Sequence, residues 1–173
     1  DKIAVAGGSA GGYLALMVGL SDDKTGPGGD PQAAVSAKVS AVIDFYGVVN
    51  FSKHGKGDVP GVGAAVQAAY LPVQQADPKD PPVLILHGTA DTTVDIQQSH
   101  DLAAALTQAR LDHEFIVVAG APHTFDLHPK GTGWTRTTLR WAANGNETRV
   151  ETKSAEPGLV EPTLAFLART IGN

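Results

Sequence analysis

A serine flanked by glycines stands near the start of the sequence, in the stretch GGSAG at 7–11. This spacing is that of G-x-S-x-G, in which a tight strand-to-helix turn exposes a serine hydroxyl as a nucleophile. The glycines avoid steric collision at the strained turn. An apolar segment precedes Ser9 and a helical pattern follows it, which favours the nucleophile over an ordinary turn serine. The N–H of Ala10, at the start of that helix, is then expected to face a developing oxyanion.

A serine nucleophile needs a base and an acid that orients the base. Both are expected on loops at the carboxyl ends of later strands, because Ser9 itself follows a strand of the same sheet. Asp91 follows the apolar run VLILHG, and His123 follows the run FIVVAG. The chain order Ser9, Asp91, His123 is one in which such triads occur. The three residues together are more specific than the serine motif alone.

Each partner has a competing interpretation. Asp91 could be a turn-forming residue, with Asp95 as the acid; Asp95 could equally cap the following helix. His123 competes with five other histidines. His87 lies at the end of a strand and is expected to support the loop that carries Asp91. The remaining four have no strand-end position: His54, His100, His113 and His128.

The elements that position these residues alternate between strands and helices. Apolar runs predict strands at 2–7, 39–47, 83–88 and 113–120. Helical patterns cover 10–21, 63–71, 96–110 and 157–172, and their apolar spacings include Leu14, Met17 and Val18 in the first and Leu102, Ala105, Leu106 and Ala109 in the third. Continuous apolar strands are typical of a parallel sheet covered by helices on both faces. The sequence therefore predicts an α/β fold with a parallel sheet of about four strands.

One segment breaks the alternation. Residues 133–156 contain two strand-like runs around an Asn-Gly pair, which is a strong hairpin signal. Both tryptophans, Trp134 and Trp141, lie in it. Two roles are open for them: packing against the body of the protein, or forming part of a substrate wall. We interpret 129–156 as an inserted β-hairpin before the last helix, with an irregular polar loop as the alternative. Gly- and Pro-rich stretches at 22–34 and 50–63 are predicted loops.

The bulk properties exclude several classes of function. A chain of 173 residues is expected to form a single domain, 1–173. Its net charge of −5 makes nucleic acid an unfavourable partner. The absence of cysteine excludes thiolate chemistry, and no apolar run approaches the roughly 20 residues of a membrane span. No metal constellation and no phosphate-binding or dinucleotide loop is visible, so neither a metal nor a cofactor is expected. The compartment stays open, with a soluble secreted or periplasmic protein among the alternatives.

Four stretches resemble the α/β-hydrolase esterases of the acetyl xylan esterase and feruloyl-esterase-like (BD-FAE) group. They are KIAVAGGSAGGYLALMVGL, VIDFYG, DPPVLILHGTADTTVDIQQSHDLAAAL and VVAGAPHTF. The resemblance covers 1–126 and resumes in the last helix. It implies Ser9 as nucleophile, His123 as general base and then acid, Asp91 as orienting acid, and the Ala10 N–H as an oxyanion donor. It also implies that Asp44, Phe45 and Tyr46 lie near the pocket wall, with Gly8 and Tyr46 contacting substrate.

The sequence departs from that group at its start. Members carry strands before the serine motif and a His-Gly-Gly loop that completes the oxyanion hole, whereas this chain has no His-Gly-Gly, and its two His-Gly pairs, at 54–55 and 87–88, both follow the serine motif. The resemblance thus implies a partial α/β-hydrolase fold without the N-terminal strands. The strand at 2–7 would then be an apolar edge, and such edges pair readily with other strands. We expect self-association, or a covering segment, against 2–7.

Three functions are compatible with these features. The first is a serine esterase that forms an acyl-enzyme on small-molecule or polysaccharide esters, with acetyl-type groups favoured by the resemblance. The second is a serine peptidase of the prolyl-oligopeptidase type, which has the same order of triad residues. The third is a truncated hydrolase-like module that binds or assembles with little activity.

Overall fold

The computed structural model describes residues 2–21, 36–51, 61, 63–127, 134–142, 146–153 and 158–172. The strands are β1 (Ala4–Gly8), β2 (Ala41–Phe45), β3 (Val83–Gly88), β4 (His113–Ala119), β5 (Thr135–Trp141) and β6 (Glu147–Lys153). The helices are α1 (Ala10–Leu20), α2 (Ala64–Ala68), α3 (Gln97–Gln108) and α4 (Val160–Thr170), with short 3₁₀ turns at Pro72–Gln74 and Phe125–Leu127. Much of the two predicted loops, and the Asn-Gly pair itself, fall outside the described residues.

The strands form one sheet in the order β1-β2-β3-β4-β5-β6. The first four run parallel, as the continuous apolar runs predict, and every residue of β3 is buried. β5 and β6 lie within the predicted hairpin segment and are antiparallel to each other. β5 also pairs antiparallel with β4, so the hairpin extends the main sheet instead of standing apart from it.

Two apolar layers hold the sheet between its helices. On one face the core includes Leu16 of α1, Leu102 and Leu106 of α3, and Phe115 of β4. On the other face Phe166 of α4 packs with side chains of β2, β3 and β4. Helices on both faces bury all of β3 and most of β2, which is why these strands have nearly continuous apolar sequences.

The buried face of α1 differs from the prediction. Leu14 and Val18 are 60% and 51% exposed, whereas Leu16 and Leu20 are buried. Glycine decides this, because a Cβ at Gly19 would lie 2.1 Å from the Val42 side chain. α1 is apolar on all sides, so its apolar spacing alone does not identify the inner face. Close approach to the sheet is possible only where the glycines lie.

The hairpin tryptophans pack against the body of the protein. The indole of Trp141 stacks on the His113 ring, with centroids 4.6 Å apart and planes 9° from parallel. Trp134 meets Phe125 edge to face at 6.0 Å. Each joins one of the two core layers, so the described contacts favour the packing alternative over a substrate wall.

β1 forms one edge of the described sheet, with β2 as its paired neighbour. Ile3, just before this strand, is 59% exposed, and α1 beside it exposes Leu14 and Val18. Self-association through this edge stays a prediction. Its physical basis is that an unpaired strand edge offers free N–H and C=O groups to another strand. Light scattering should detect a species larger than a monomer at micromolar concentration. A monodisperse monomer would count against self-association.

Candidate active site

Ser9 stands at the turn between β1 and α1 in a strained conformation. Its φ of 57° and ψ of −119° lie outside the regions that L-residues favour. The Ser9 N–H donates to the Phe45 carbonyl at 2.9 Å, and the Ser9 carbonyl accepts from the Tyr13 N–H at 3.1 Å. Strain of this kind costs about 1–3 kcal/mol and persists where the surrounding structure fixes it. The side chain is thereby held above the carboxyl edge of the sheet.

Glycine at position 7 permits this turn. A Cβ there would lie 2.2 Å from the carbonyl oxygen of Gly11 in the first turn of α1. Because that obstacle is backbone, no side-chain rotation relieves it. Gly7 and Gly11 therefore differ in whether a side chain would fit, since a Cβ at Gly11 would meet no atom within 4 Å.

These two positions give a matched pair of variants. Gly7→Ala is expected to lower the free energy of unfolding by roughly 1–3 kcal/mol, because helix and strand must separate. Gly11→Ala is expected to be neutral or stabilising by up to about 1 kcal/mol, because alanine favours a helix over glycine. Urea unfolding followed by circular dichroism measures both. Equal destabilisation by the two variants would contradict the predicted close approach.

Asp91 follows β3, and its two carboxylate oxygens accept hydrogen bonds from different partners. Oδ1 accepts the backbone N–H groups of Thr93 and Val94, each at 2.9 Å, which forms a tight turn. Oδ2 lies 2.7 Å from Nδ1 of His123. The turn-forming interpretation and the acid interpretation of Asp91 are thus compatible in one residue. Burial alone would raise the pKa of Asp91, but the bonds from His123 and the two N–H groups lower it overall.

His123 lies between Asp91 and Ser9. Its Nδ1 faces Asp91, and its Nε2 lies 3.2 Å from the Ser9 Oγ. An ionised carboxylate can only accept, so Nδ1 carries the proton and Nε2 is left to accept from the serine hydroxyl. The His123 side chain is 17% exposed and so stays accessible from outside. The structure thus brings Ser9, His123 and Asp91 together in one hydrogen-bonded chain.

The alternative acid, Asp95, has a different position. Its Oδ1 accepts from the Gln97 N–H at 2.8 Å, at the start of α3. Its backbone carbonyl accepts from the Gln98 N–H at 2.9 Å. Asp95 therefore lies two residues before α3, where it accepts the N–H groups of the first two residues of the helix, while Ile96 is the N-cap residue.

His87 supports the Asp91 loop, as its position on β3 predicts. Its Nε2 lies 3.0 Å from the Val94 carbonyl and 3.3 Å from Asp91 Oδ2, so it donates to the loop. Its Nδ1 then accepts from the Ser99 hydroxyl at 2.7 Å. The His87 side chain has no solvent exposure, and burial lowers its pKa. The ring is therefore neutral at pH 7 and acts as a fixed donor.

The remaining predicted site residues, Ala10, Gly8 and Tyr46, differ in their burial and contacts. Ala10 is exposed and begins α1, so its N–H has no acceptor within the helix and is available to a ligand. Gly8 is partly buried, and a Cβ there would lie 2.9 Å from the Tyr46 hydroxyl. Tyr46 itself is only 2% exposed and lies beside the His123 ring, which leaves little of its side chain for substrate.

Two acidic residues near the site were not assigned a specific role by sequence reasoning. Asp126 accepts a hydrogen bond from the Tyr46 hydroxyl. Asp44, the fourth of the five residues of β2, is completely buried against Gly12 in the first turn of α1. A charged residue inside an apolar strand was a usable signal for Asp44, and an acid three residues after His123 was one for Asp126. Within the described segments, no group of three or more His, Asp or Glu side chains is arranged to hold a metal ion.

The BD-FAE family model matches residues 1–106. The chain belongs to the BD-FAE family. Probable carboxylic ester hydrolase LipM of Mycobacterium tuberculosis (strain ATCC 25618 / H37Rv) is 31% identical over 147 residues, covering 73% of this chain and 33% of LipM. Esterase LipQ of the same organism is 30% identical over 73% of this chain and 34% of LipQ. The chain thus spans about a third of the length of the curated relatives it matches.

Solved structures agree with this BD-FAE assignment. The propionate-bound structure of Thermogutta terrifontis Est2, a thermophilic esterase, has a TM-score of 0.58 at 30% identity, over 71% of this chain and 46% of that one. A truncated carbohydrate esterase from gut microbiota has the same TM-score at 26% identity, over 71% and 53%. The expected partial α/β-hydrolase fold is confirmed. No helix among the described residues of this BD-FAE chain is long and apolar enough to cross a membrane.

Proposed function

We propose that this chain carries the reaction centre of a serine carboxylic ester hydrolase. The observation that carries the proposal is the hydrogen-bonded chain from Ser9 through His123 to Asp91, built on loops that follow β1, β4 and β3. Its relatives are named esterases or carboxylic ester hydrolases, which supports ester hydrolysis as the reaction class.

The geometry suits acyl transfer through a covalent intermediate. Ser9 Oγ attacks the ester carbonyl carbon while its proton passes to His123 Nε2. The carbonyl oxygen becomes an oxyanion, to which the Ala10 N–H donates one hydrogen bond. When the carbon–oxygen bond to the alcohol breaks, His123 returns the proton to the departing oxygen. Water, deprotonated by His123, then cleaves the acyl-enzyme and releases the acid and free Ser9.

Asp91 fixes and stabilises the charged state of His123. The imidazolium that forms during each proton transfer lies 2.7 Å from Asp91 Oδ2. Because this carboxyl has a lowered pKa, it is ionised at neutral pH and offsets the positive charge. His87 holds the same oxygen from the other side, which limits movement of the carboxylate.

The substrate class we propose is an ester of a short acyl group, on a small molecule or a polysaccharide. Support comes from relatives: Thermogutta terrifontis Est2 is described with propionate and with butyrate bound, and another neighbour is a carbohydrate esterase. The acetyl-type substrate that the sequence resemblance implies belongs to the same short-acyl class. The carbohydrate part of the proposal rests on analogy between folds.

Hydrolysis of p-nitrophenyl acetate and p-nitrophenyl butyrate tests the proposal. We expect turnover by the unmodified chain and its loss in Ser9→Ala. A fluorophosphonate probe should label the unmodified chain at Ser9 and should not label the variant. Absence of both turnover and labelling would overturn the esterase and favour a binding or assembly module. Cleavage of a peptide p-nitroanilide in preference to the esters would favour the peptidase instead.

A further inference from the structure

Tyr46 touches several parts of the candidate site at once. It directly follows β2, and its ring lies 4.6 Å from the His123 ring, with the planes tilted by 57°. The same ring meets His87 at 6.3 Å and Phe125 at 5.6 Å, both edge to face. His123 is therefore packed against a ring that is itself buried among other aromatic rings.

The hydroxyl of Tyr46 makes a second set of contacts. It donates a hydrogen bond to Oδ1 of Asp126, which lies three residues after His123 on the same loop. It also lies against Gly8, the residue before Ser9, where even a Cβ would be only 2.9 Å from the hydroxyl oxygen. One side chain thus spans the distance between the serine turn and the histidine loop.

The backbone around this contact is strained on both sides. Tyr46 has a φ of 44° and Thr124 a φ of 58°, both in the left-handed region that non-glycine residues rarely adopt. The Tyr46 N–H donates to the Leu86 carbonyl at 2.9 Å, which ties the strained residue to β3. Such conformations persist where tertiary contacts fix them, and they concentrate at functional sites.

We propose that Tyr46 and Asp126 act together as a positioning pair that holds the His123 ring in register with Ser9. The inference rests on the proposed esterase function and assigns to Tyr46 a role other than contact with substrate. The pair closes the histidine loop onto the body of the sheet. Without the Tyr46–Asp126 hydrogen bond, the His123 ring would keep its hydrogen bond to Asp91, but the loop that carries His123 would lose its attachment to Tyr46.

The chemistry of the pair suits a permanent restraint. Burial raises the pKa of Tyr46, and the hydrogen bond to Asp126 raises it further, so the hydroxyl stays protonated and donates throughout the neutral range. A hydrogen bond to a charged acceptor contributes more than one to a neutral acceptor. Small misplacements of a catalytic group can cost large factors in rate.

Steady-state kinetics on p-nitrophenyl acetate test the pair. We expect Tyr46→Phe to lower kcat about tenfold with KM unchanged within twofold, because the ring remains and only the restraint is lost. Asp126→Ala should give the same loss, and the double variant should lose no more than either alone. Asp126→Asn keeps an acceptor oxygen and should recover part of kcat. Tyr13→Phe is the matched control, since the Tyr13 hydroxyl donates to the Tyr70 carbonyl and takes no part in the Tyr46–Asp126 hydrogen bond.

Three outcomes, two kinetic and one spectroscopic, would overturn the proposal. A raised KM with unchanged kcat in Tyr46→Phe would make Tyr46 a substrate contact, and additive losses would separate the two residues. Circular dichroism melting of each variant identifies loss through unfolding. Proton NMR of the His123 Nδ1–H reads the pair without turnover: we expect its low-field signal to broaden in Tyr46→Phe and to persist in Tyr13→Phe. An unmodified chain without esterase activity would overturn the proposed function, whereas an unchanged NMR signal would overturn this inference.

Discussion

Replacing Asp91 with asparagine is expected to lower kcat for ester hydrolysis by about 10⁴, because the variant stabilises the wrong tautomer of His123. In the protein, Oδ1 of Asp91 accepts two backbone N–H groups, and only an oxygen can replace it there. The amide oxygen of the variant therefore occupies that position, and its NH₂ group faces His123. His123 must then accept at Nδ1 and carry its proton on Nε2, where it can no longer accept from Ser9.

Asp95→Asn is the matched control for this variant. The amide oxygen of asparagine can accept the Gln97 N–H at the start of α3 as the carboxylate does, so we expect kcat within twofold of the unmodified chain and little change in stability. Hydrolysis of p-nitrophenyl acetate measures both variants, and circular dichroism checks their folding. A large loss in Asp95→Asn together with a small one in Asp91→Asn would identify Asp95 as the orienting acid.

The second large effect is expected at Asp44, where asparagine should stabilise the protein above pH 7. The Asp44 carboxylate lies in a confined space between Gly12 and Gly47, so close that a Cβ on either glycine would be within 2.3 Å of Oδ1. Among the described residues neither oxygen has a hydrogen bond of regular geometry. Burial raises the pKa of Asp44 to about 7, and a weak contribution from the Gly47 backbone lowers it only in part.

The direction of the pH effect follows from proton binding. Between pH 3.8 and about 7 the unfolded chain has released the Asp44 proton while the folded chain still holds it. Stability from this group is therefore complete below pH 3.8 and is lost as the pH rises through 7. At about 1.4 kcal/mol per pH unit, the loss is at most about 4 kcal/mol. Asp44→Asn removes this dependence, because its amide does not ionise.

Urea unfolding of the unmodified chain and Asp44→Asn at pH 5 and pH 8 measures the effect. We expect the variant to gain stability relative to the unmodified chain between the two pH values. Asp77→Asn is the control, since that exposed carboxylate accepts a bond from the Lys79 N–H at the surface and should show a much smaller difference. The same gain in both variants would show that net charge, and not burial of Asp44, is responsible.

Local sequence signals identified the elements that carry the site. Ser9, Asp91 and His123 each follow an apolar run, and the ends of parallel strands meet at one edge of a sheet. This topology brings the three side chains to the same edge, where they form the hydrogen-bonded chain. The strand β3 was predicted at Val83–Gly88, the bounds that the structure has. A buried parallel strand is the easiest element to recognise, because its environment is apolar on both faces.

Other features depend on contacts between residues distant in the sequence. The spacing of Leu14, Met17 and Val18 predicts the wrong inner face for α1, because the glycine contacts with β2 decide it. The pairing of the hairpin with β4 was not visible in its local turn signal. The position of Tyr46 beneath His123, and its bond to Asp126 across 80 residues of sequence, depend on how two loops close over the sheet.

The sequence by itself determined the order of strands and helices, the serine turn and the strand ends at which its partners lie. These features depend on local composition and spacing, because glycine, proline and runs of apolar residues have similar local effects in any chain. Only the tertiary structure decided how closely distant residues pack. It encloses Asp44 between two glycines, and it places Tyr46 in contact with both the Ser9 turn and the His123 loop. Close packing and burial depend on the shapes of surfaces brought together by folding, and these determine both the pKa of Asp44 and the orientation of His123.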